Sequence, residues 1–259
     1  DQDHGFDLVS PFDPDWLSWV FVVFCRIGAC MAFAPGLSSP RIPVRARLVT
    51  AVALTLALSP GILENSGHGT ARIESVQMAI MIVREISIGA AMGVMARLFF
   101  ALFEMMLTAA SMSIGASSSF AMRVDEADAI PEFASLVAFA TTSLFFLTGM
   151  HWEIVGAVRD SYTALPLGSS IETRFALAKA VDTLSVASSV TFRLTAPFIF
   201  FGLVANFGFA LANKMIPQVA IYFVAAPIVL FTGLSMLSTL WTDMATLFLS
   251  AFRDWLQRI

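Results

Sequence analysis

From Val219 to Thr242 the chain runs without one charged side chain. A helix needs about 20 apolar residues, at about 1.5 Å each, to cross the hydrocarbon layer of a bilayer. This segment meets that length, and lipid leaves it little choice of form. A spanning helix satisfies its own backbone N–H and C=O groups, which lipid cannot do. Leu194–Asn213 and Phe133–Met150 are likewise uncharged. Leu48–Leu63 is uncharged but shorter, with Pro60 and Gly61 near its end. Trp16–Ala34 carries only Arg26, and Val76–Phe103 carries Arg84, Glu85 and Arg97. These patterns predict an all-α, membrane-associated fold with about six hydrophobic helical segments.

Composition argues against a soluble alternative. Only 13% of the 259 residues are charged and 58% are hydrophobic, with mean hydropathy +0.80. Soluble domains carry about 25% charged residues. The net charge of −4 identifies no partner, because the acids are clustered. There is no basic patch interleaved with aromatics, so nucleic acid is not expected as a partner. The 24 Phe against 2 Tyr suit lipid or protein packing rather than wet surfaces. Cys25 and Cys30 lie about 140° apart around a helix, too far to bridge within it, and read as small buried apolar residues. The N-terminal stretch holds Asp1, Asp3, Asp7, Asp13 and Asp15 and no Lys or Arg before Arg26. A signal peptide opens with positive charge instead, and the absent Met points to a trimmed start.

No long linker, low-complexity tract or close repeat divides the chain, so 1–259 reads as a single domain. Residues 1–15 form an acidic N-terminal segment. Residues 243–259 read as an amphipathic C-terminal helix, with Phe248, Phe252, Trp255 and Leu256 set against Asp243, Arg253 and Asp254. Glu172–Ser189 reads as another amphipathic helix within the mixed Trp152–Arg193 connection. Lys/Arg bias in short loops sets orientation. The acidic N-terminus suits the outside and the Arg41/Arg45/Arg47 loop the cytoplasm, which returns the third segment inward. Yet the next charged loop, Arg123–Glu132, is net acidic and prefers the outside. Glu104–Met122 must then recross part of the membrane level, as the end of a long broken helix or as a re-entrant element. Residues 104–132 are therefore a distinct region. Non-helical backbone at that depth survives only inside protein or against water.

The intramembrane charges are Arg26, Arg84, Glu85 and Arg97. A charge at the bilayer centre costs about 2.5–3.5 kcal/mol on insertion scales, so such residues face protein or water. Arg84 and Glu85 point about 100° apart and are better placed to pair with other helices than with each other. A proton relay is the sharper reading of this set. Three of the four are Arg, however, which keeps its proton, and ion pairing within an assembly fits better. Gly89 and Gly93 form a GxxxG pair that lets helix backbones approach closely, and the spacing continues through Ser111, Gly115 and Ser119. Met105, Met106, Met112 and Met122 flank the polar stretch as adaptable filler or as a deformable seal. His4, His68 and His151 have no metal-ligand spacing, and Ser118 has no neighbouring His. Without a P-loop, a GxGxxG or a GxSxG, the chain is expected to be no enzyme and to hold no metal or cofactor. A self-contained secondary transporter, with Arg84, Glu85 and Arg97 at its site, is the rival of another class.

Four stretches, in this order and spacing, resemble the FliR/SctT family, the export-gate subunits of flagella and of injectisomes. They are RIGACMAFAPGLSSPRIPVRARLVTAVALTLALSP (Arg26–Pro60), REISIGAAMG (Arg84–Gly93), TSLFFLTGMHWEIVGAVRDSYTALPLG (Thr142–Gly168) and KMIPQVAIYFVAAPIVLFTGL (Lys214–Leu234). The resemblance covers residues 16 to about 245. The chain departs from the family pattern at Asp125-Glu126, where Asp-Pro is common. It departs again at Ala220 and Lys214, where the family usually has Asn and Arg. The resemblance implies a structural channel subunit that assembles with FliP-like, FliQ-like and FlhB-like proteins. It also implies bent helical hairpins wound into a spiral around a pore for unfolded flagellar proteins, in the bacterial inner membrane at the flagellar basal body. An injectisome subunit of the SctT type is the alternative. The resemblance further implies that Ile114, Gly115, Ala116, Ser117, Ser118, Ser119, Phe120 and Met122 plug the closed channel, and that Arg26, Arg84, Glu85 and Arg97 pair across subunits.

Overall fold

Seven helices make up the described residues of the computed structural model, which are 14–38, 42–66, 75–114, 132–168, 173–215 and 221–258. They are α1 (Pro14–Phe33), α2 (Val44–Ser66), α3 (Ser75–Ser113), α4 (Glu132–Leu147), α5 (Met150–Ala164), α6 (Thr173–Met215) and α7 (Ile221–Leu256). No strand occurs among the described residues, so the fold is all-α as the sequence predicts. Pro14 opens α1, a position where its missing N–H is not needed. Gly149 ends α4 with φ +72, a conformation open to glycine at little cost, and α5 starts directly after it.

Among the described residues, five helices are long and apolar enough to cross a membrane. The sixth expected segment, Phe133–Met150, is the exception. Gly149 stops its helix after 16 residues, about 24 Å, short of a hydrocarbon core of roughly 30 Å. Elsewhere the helices outrun the apolar runs. α6 joins the amphipathic stretch near 172–189 to the apolar run after it, making one helix of 43 residues. α7 likewise carries the last apolar run into the amphipathic C-terminal stretch, over 36 residues. Pro60, Pro197 and Pro227 sit inside α2, α6 and α7. Each removes one backbone hydrogen bond.

α3 is the main departure from the sequence reading. It runs 39 residues without a break, so 104–113 continue the helix and do not turn back at Glu104. Glu104, Met105, Met106 and Leu107 are all good helix formers, and that preference outweighs the loop-charge argument. The remainder of the expected re-entrant stretch, 115–131, lies outside the described residues.

The described residues fall into two compact units, one within 1–97 and 152–179 and the other within 98–151 and 180–258. In the first, α1 packs on α2, and Val22, Val23, Ile27, Ile88, Ile154 and Val158 are buried. In the second, Phe99, Phe103, Phe145, Phe198, Phe248 and Phe252 are buried. Large apolar side chains also stand exposed, among them Leu48 and Val49 on α2, Phe200, Phe207 and Met215 on α6, and Phe231 on α7. Exposure on that scale suits lipid or partner chains as surroundings rather than water.

Candidate functional site

The first unit is organised around a buried charge pair. Arg26 of α1 and Glu85 of α3 are both fully inaccessible. The Arg26 guanidinium donates to both Glu85 carboxylate oxygens, from Nε at 2.5 Å and from a terminal nitrogen at 3.0 Å. Such fork-to-fork contact fixes orientation as well as charge. Its remaining donors reach the Ser161 hydroxyl at 3.1 Å and the Leu165 carbonyl at 3.0 Å. The Tyr162 ring lies beneath the guanidinium, its centroid 4.0 Å from the guanidinium carbon. Burial pushes the Tyr162 phenol above its usual range, and the nearby Arg26 cation pulls it back in part. The Gly168 N–H donates to Glu85 at 3.4 Å, and Arg84 donates to the Gly168 carbonyl at 2.9 Å. Three charged side chains therefore grip the backbone of the Leu165–Gly168 turn.

The glycines explain how α1 comes close enough. Glu85, Gly89 and Gly93 lie four apart and share one face of α3. A Cβ at Gly89 would collide with the backbone carbonyl of Arg26. One at Gly93 would sit 2.6 Å from the Cys30 carbonyl oxygen and 2.9 Å from the Phe33 Cβ. The two helices cross at backbone contact, one turn of α3 from the carboxylate.

The four intramembrane charges thus separate into two kinds. Arg26 and Glu85 satisfy each other within the chain rather than across a subunit boundary. The expectation of inter-subunit pairing is corrected for these two, because their donors and acceptors are spent internally and no atom of either is accessible. Arg84 is exposed, and among the described residues its hydrogen bond goes to the Gly168 carbonyl. Arg97 is exposed and has no hydrogen-bond or ion-pair partner among the described residues.

The second unit holds the one plug residue that is described. Ile114 ends the α3 run, 2% exposed, its N–H donating to the Ala110 carbonyl at 3.1 Å. Gly115, Ala116, Ser117, Ser118, Ser119, Phe120 and Met122 lie outside the described residues, as do His4 and His68. Two glycines close on the end of α3. A Cβ at Gly202 of α6 would strike the backbone carbonyl of Ser113 and lie 2.8 Å from its Cβ. A Cβ at Gly233 of α7 would lie 2.7 Å from the Ile114 Cβ and 2.9 Å from its Cγ2. Ile114 also lines an apolar cavity of about 170 Å3, together with Leu107, Leu136, Phe198, Leu237 and Trp241.

Sequence reasoning does not single out Ser161, Tyr162, Gly168, Gly202 or Gly233 as site residues. The first three fall in the Ser-Tyr and Leu-Pro-x-Gly stretch that carries part of the family resemblance, and that stretch was their available signal. Gly202 and Gly233 look like every other glycine of an apolar segment. Among the described residues no His, Cys, Asp and Glu cluster is arranged to hold a metal ion.

The family model described as bacterial export proteins, family 1, matches residues 17–255. A flagellar biosynthetic protein FliR from Caulobacter vibrioides is 28% identical, over 90% of this chain and 92% of its own length. The FliR of Escherichia coli K12 is 28% identical over 87% of this chain and 86% of its own. That of Pectobacterium carotovorum is 28% identical over 92% and 87%.

Proposed function

The chain belongs to the bacterial export proteins, family 1, and from that membership we propose that it is a non-enzymatic channel subunit of the flagellar type III protein export gate in the bacterial inner membrane. The observation that carries the proposal is full-length similarity to relatives that bear the name flagellar biosynthetic protein FliR. Those names favour the flagellum over the injectisome. In this reading the chain assembles with FliP-like, FliQ-like and FlhB-like subunits and passes unfolded flagellar proteins. The exposed apolar faces of α2, α6 and α7 supply surface for such an assembly, and helices longer than a bilayer is thick can extend beyond it. Arg84 and Arg97, exposed on α3, are the charges left to meet a partner's carboxylate. Gly89 and Gly93 serve the chain's own α1–α3 crossing.

The residues from Ile114 to Met122 form the plug of the closed channel. In this reading Ile114, Phe120 and Met122 are its apolar residues, with the small residues Gly115, Ala116, Ser117, Ser118 and Ser119 between them. The secondary-transporter alternative loses its anionic group, since Glu85 is sealed against Arg26 and Arg97 stands apart from it.

Two measurements test the reading. Removal of the gene from its host should abolish swimming and secretion of flagellar proteins, with both restored by a plasmid copy. Normal motility after removal would refute the flagellar assignment. Deleting Gly115 to Ser119 should leave the complex recoverable and make the membrane leaky to small ions. Unchanged conductance in that deletion removes the plug.

A further inference from the structure

We propose that Asn206, on the exposed side of α6, is the recognition point for a membrane-spanning helix of another subunit, which supplies a hydrogen-bond donor to its carboxamide oxygen. The inference deepens the assembly reading above and rests on it. Asn206 is the only polar side chain between Thr195 and Asn213, and no charge occurs from Leu194 to Asn213. It lies about 12 Å along the helix from Lys214 and about 20 Å from Arg193. A carboxamide is too short to reach the headgroups from there, as a lysine or an arginine could. Asn206 is exposed, and its neighbours Leu203 and Phe207 stand 65% and 64% exposed beside it.

The carboxamide is only half satisfied. One of its N–H groups donates to the Gly202 carbonyl, one turn back, at 2.8 Å. The other N–H and the oxygen have no partner among the described residues. The hydroxyls of the same helix avoid this difficulty. Ser188, Ser189, Thr191 and Thr195 each spend their single hydrogen on a carbonyl of α6. A carboxamide oxygen cannot be served in that way, because the N–H groups of a helix interior are already bonded to carbonyls. Lipid tails offer it no donor, whereas a neighbouring helix with a hydroxyl or an amide does. The surrounding shape fits such a helix. Leu203, Asn206, Ala210 and Asn213 follow one another at steps of three, four and three residues, the spacing of a two-helix seam. All four are exposed. Ala210, one turn beyond Asn206, leaves room for close approach. Asn213 adjoins Lys214 at the end of the apolar run, where water and headgroups can serve it. Asn206 is therefore the member of the seam that selects a partner and fixes its register, as a single polar residue does among apolar ones.

The test is purification of the full chain from membranes of its host in mild detergent, with the other gate subunits measured alongside it. Asn206→Leu should leave the abundance of the chain in the membrane unchanged and lower the recovery of the other subunits about tenfold. Asn206→Gln, which keeps the carboxamide, should retain most of them, and Asn213→Leu should lose fewer than Asn206→Leu. Full recovery with Asn206→Leu overturns the proposal. An equal loss from Asn206→Gln traces the effect to shape and not to hydrogen bonding, and overturns it too. Should Asn206→Leu deplete the chain itself, a photo-crosslinking phenylalanine at Ala210 decides. An adduct mapped to a spanning helix of another gate subunit, within one turn of a Ser, Thr, Asn or Gln, supports the proposal. An adduct with a second copy of this chain, or none with protein, refutes it. The premise fails separately. A wild-type chain that brings down no other subunit removes the assembly reading and this inference with it. Equal recovery by wild type and Asn206→Leu removes the inference alone.

Discussion

The two units hold themselves together by different chemistry. In the first, the guanidinium of a fully buried Arg26–Glu85 pair donates hydrogen bonds to α5 and to the turn beyond it, at a crossing that two glycines make possible. In the second, aromatic rings pack without a charge. Phe103 stacks on Phe248 at 4.1 Å between centroids, Phe100 meets Phe248 and Phe252 edge-on at 5.1 and 5.0 Å, and Phe99 contacts Phe248, Phe252 and Trp255. The Trp255 indole N–H donates to the Thr183 hydroxyl at 3.0 Å, a polar handle on an otherwise dry cluster. Forked hydrogen bonds specify one rotation and one depth for each helix. Ring contacts hold strongly and permit small slides. The first unit is therefore expected to respond to substitution sharply, and the second by degrees.

The sharpest way to break that contrast is at Gly89. Gly89→Leu drives a side chain into the Arg26 backbone, which neither flexes nor moves away without pulling Arg26 off Glu85. No multi-subunit complex should be recoverable by affinity purification. Normal recovery would mean that the crossing tolerates separation and that the first unit is not limited by backbone contact.

Next in size is the charge pair itself. Arg26→Met leaves a buried carboxylate unpaired and should destabilise by about 3–5 kcal/mol, as should Glu85→Met with the charges reversed. The double replacement Arg26→Met with Glu85→Met removes both charges and should regain much of that loss. Thermal unfolding of the purified complex in detergent measures all three. A double variant as unstable as the sum of the singles would show that the two side chains act independently.

In the aromatic unit the same measurement should give a smaller answer. Phe248→Leu keeps most of the apolar volume and loses the stacking with Phe103, at about 1–2 kcal/mol, between a volume-conserving swap and a truncation. A loss as large as that of Arg26→Met would erase the distinction between a directional and a non-directional core.

What the sequence makes legible follows the same division. The apolar runs predict helices, because in lipid no other form satisfies the backbone. The Glu85, Gly89, Gly93 spacing is visible as one helical face, and Arg26 is visible as a charge that needs company. Their pairing is not visible, since 59 positions separate the two residues and only the tertiary crossing brings them together. Helix ends are legible where local chemistry decides them. They are obscure where an apolar run passes into an amphipathic one, as in α6 and α7, because both kinds of stretch favour a helix. The unbroken α3 was hidden by a charge argument about a loop, when good helix formers at 104–107 govern the backbone. Gly202 and Gly233 were indistinguishable from Gly208 until neighbouring helices gave them different surroundings.

The smallest expected effect sharpens the comparison from inside the first unit. Gly156, in the middle of α5, has nothing within 4 Å of a built Cβ. It lies on the same helix as Ser161 and Tyr162, which the charge pair engages. Were every glycine of this unit under the constraint that governs Gly89, Gly156→Ala would be harmful. Open space predicts the reverse. Alanine restricts the unfolded chain and suits a helix interior better than glycine, by about 0.5–1 kcal/mol. Gly156→Ala should therefore raise the unfolding temperature of the complex slightly and leave assembly unchanged. A decrease comparable to that of Glu85→Met would mean that α5 cannot take any change in its backbone without disturbing the Arg26 contacts. The sharp response would then belong to the whole helix and not to the crossing at Gly89.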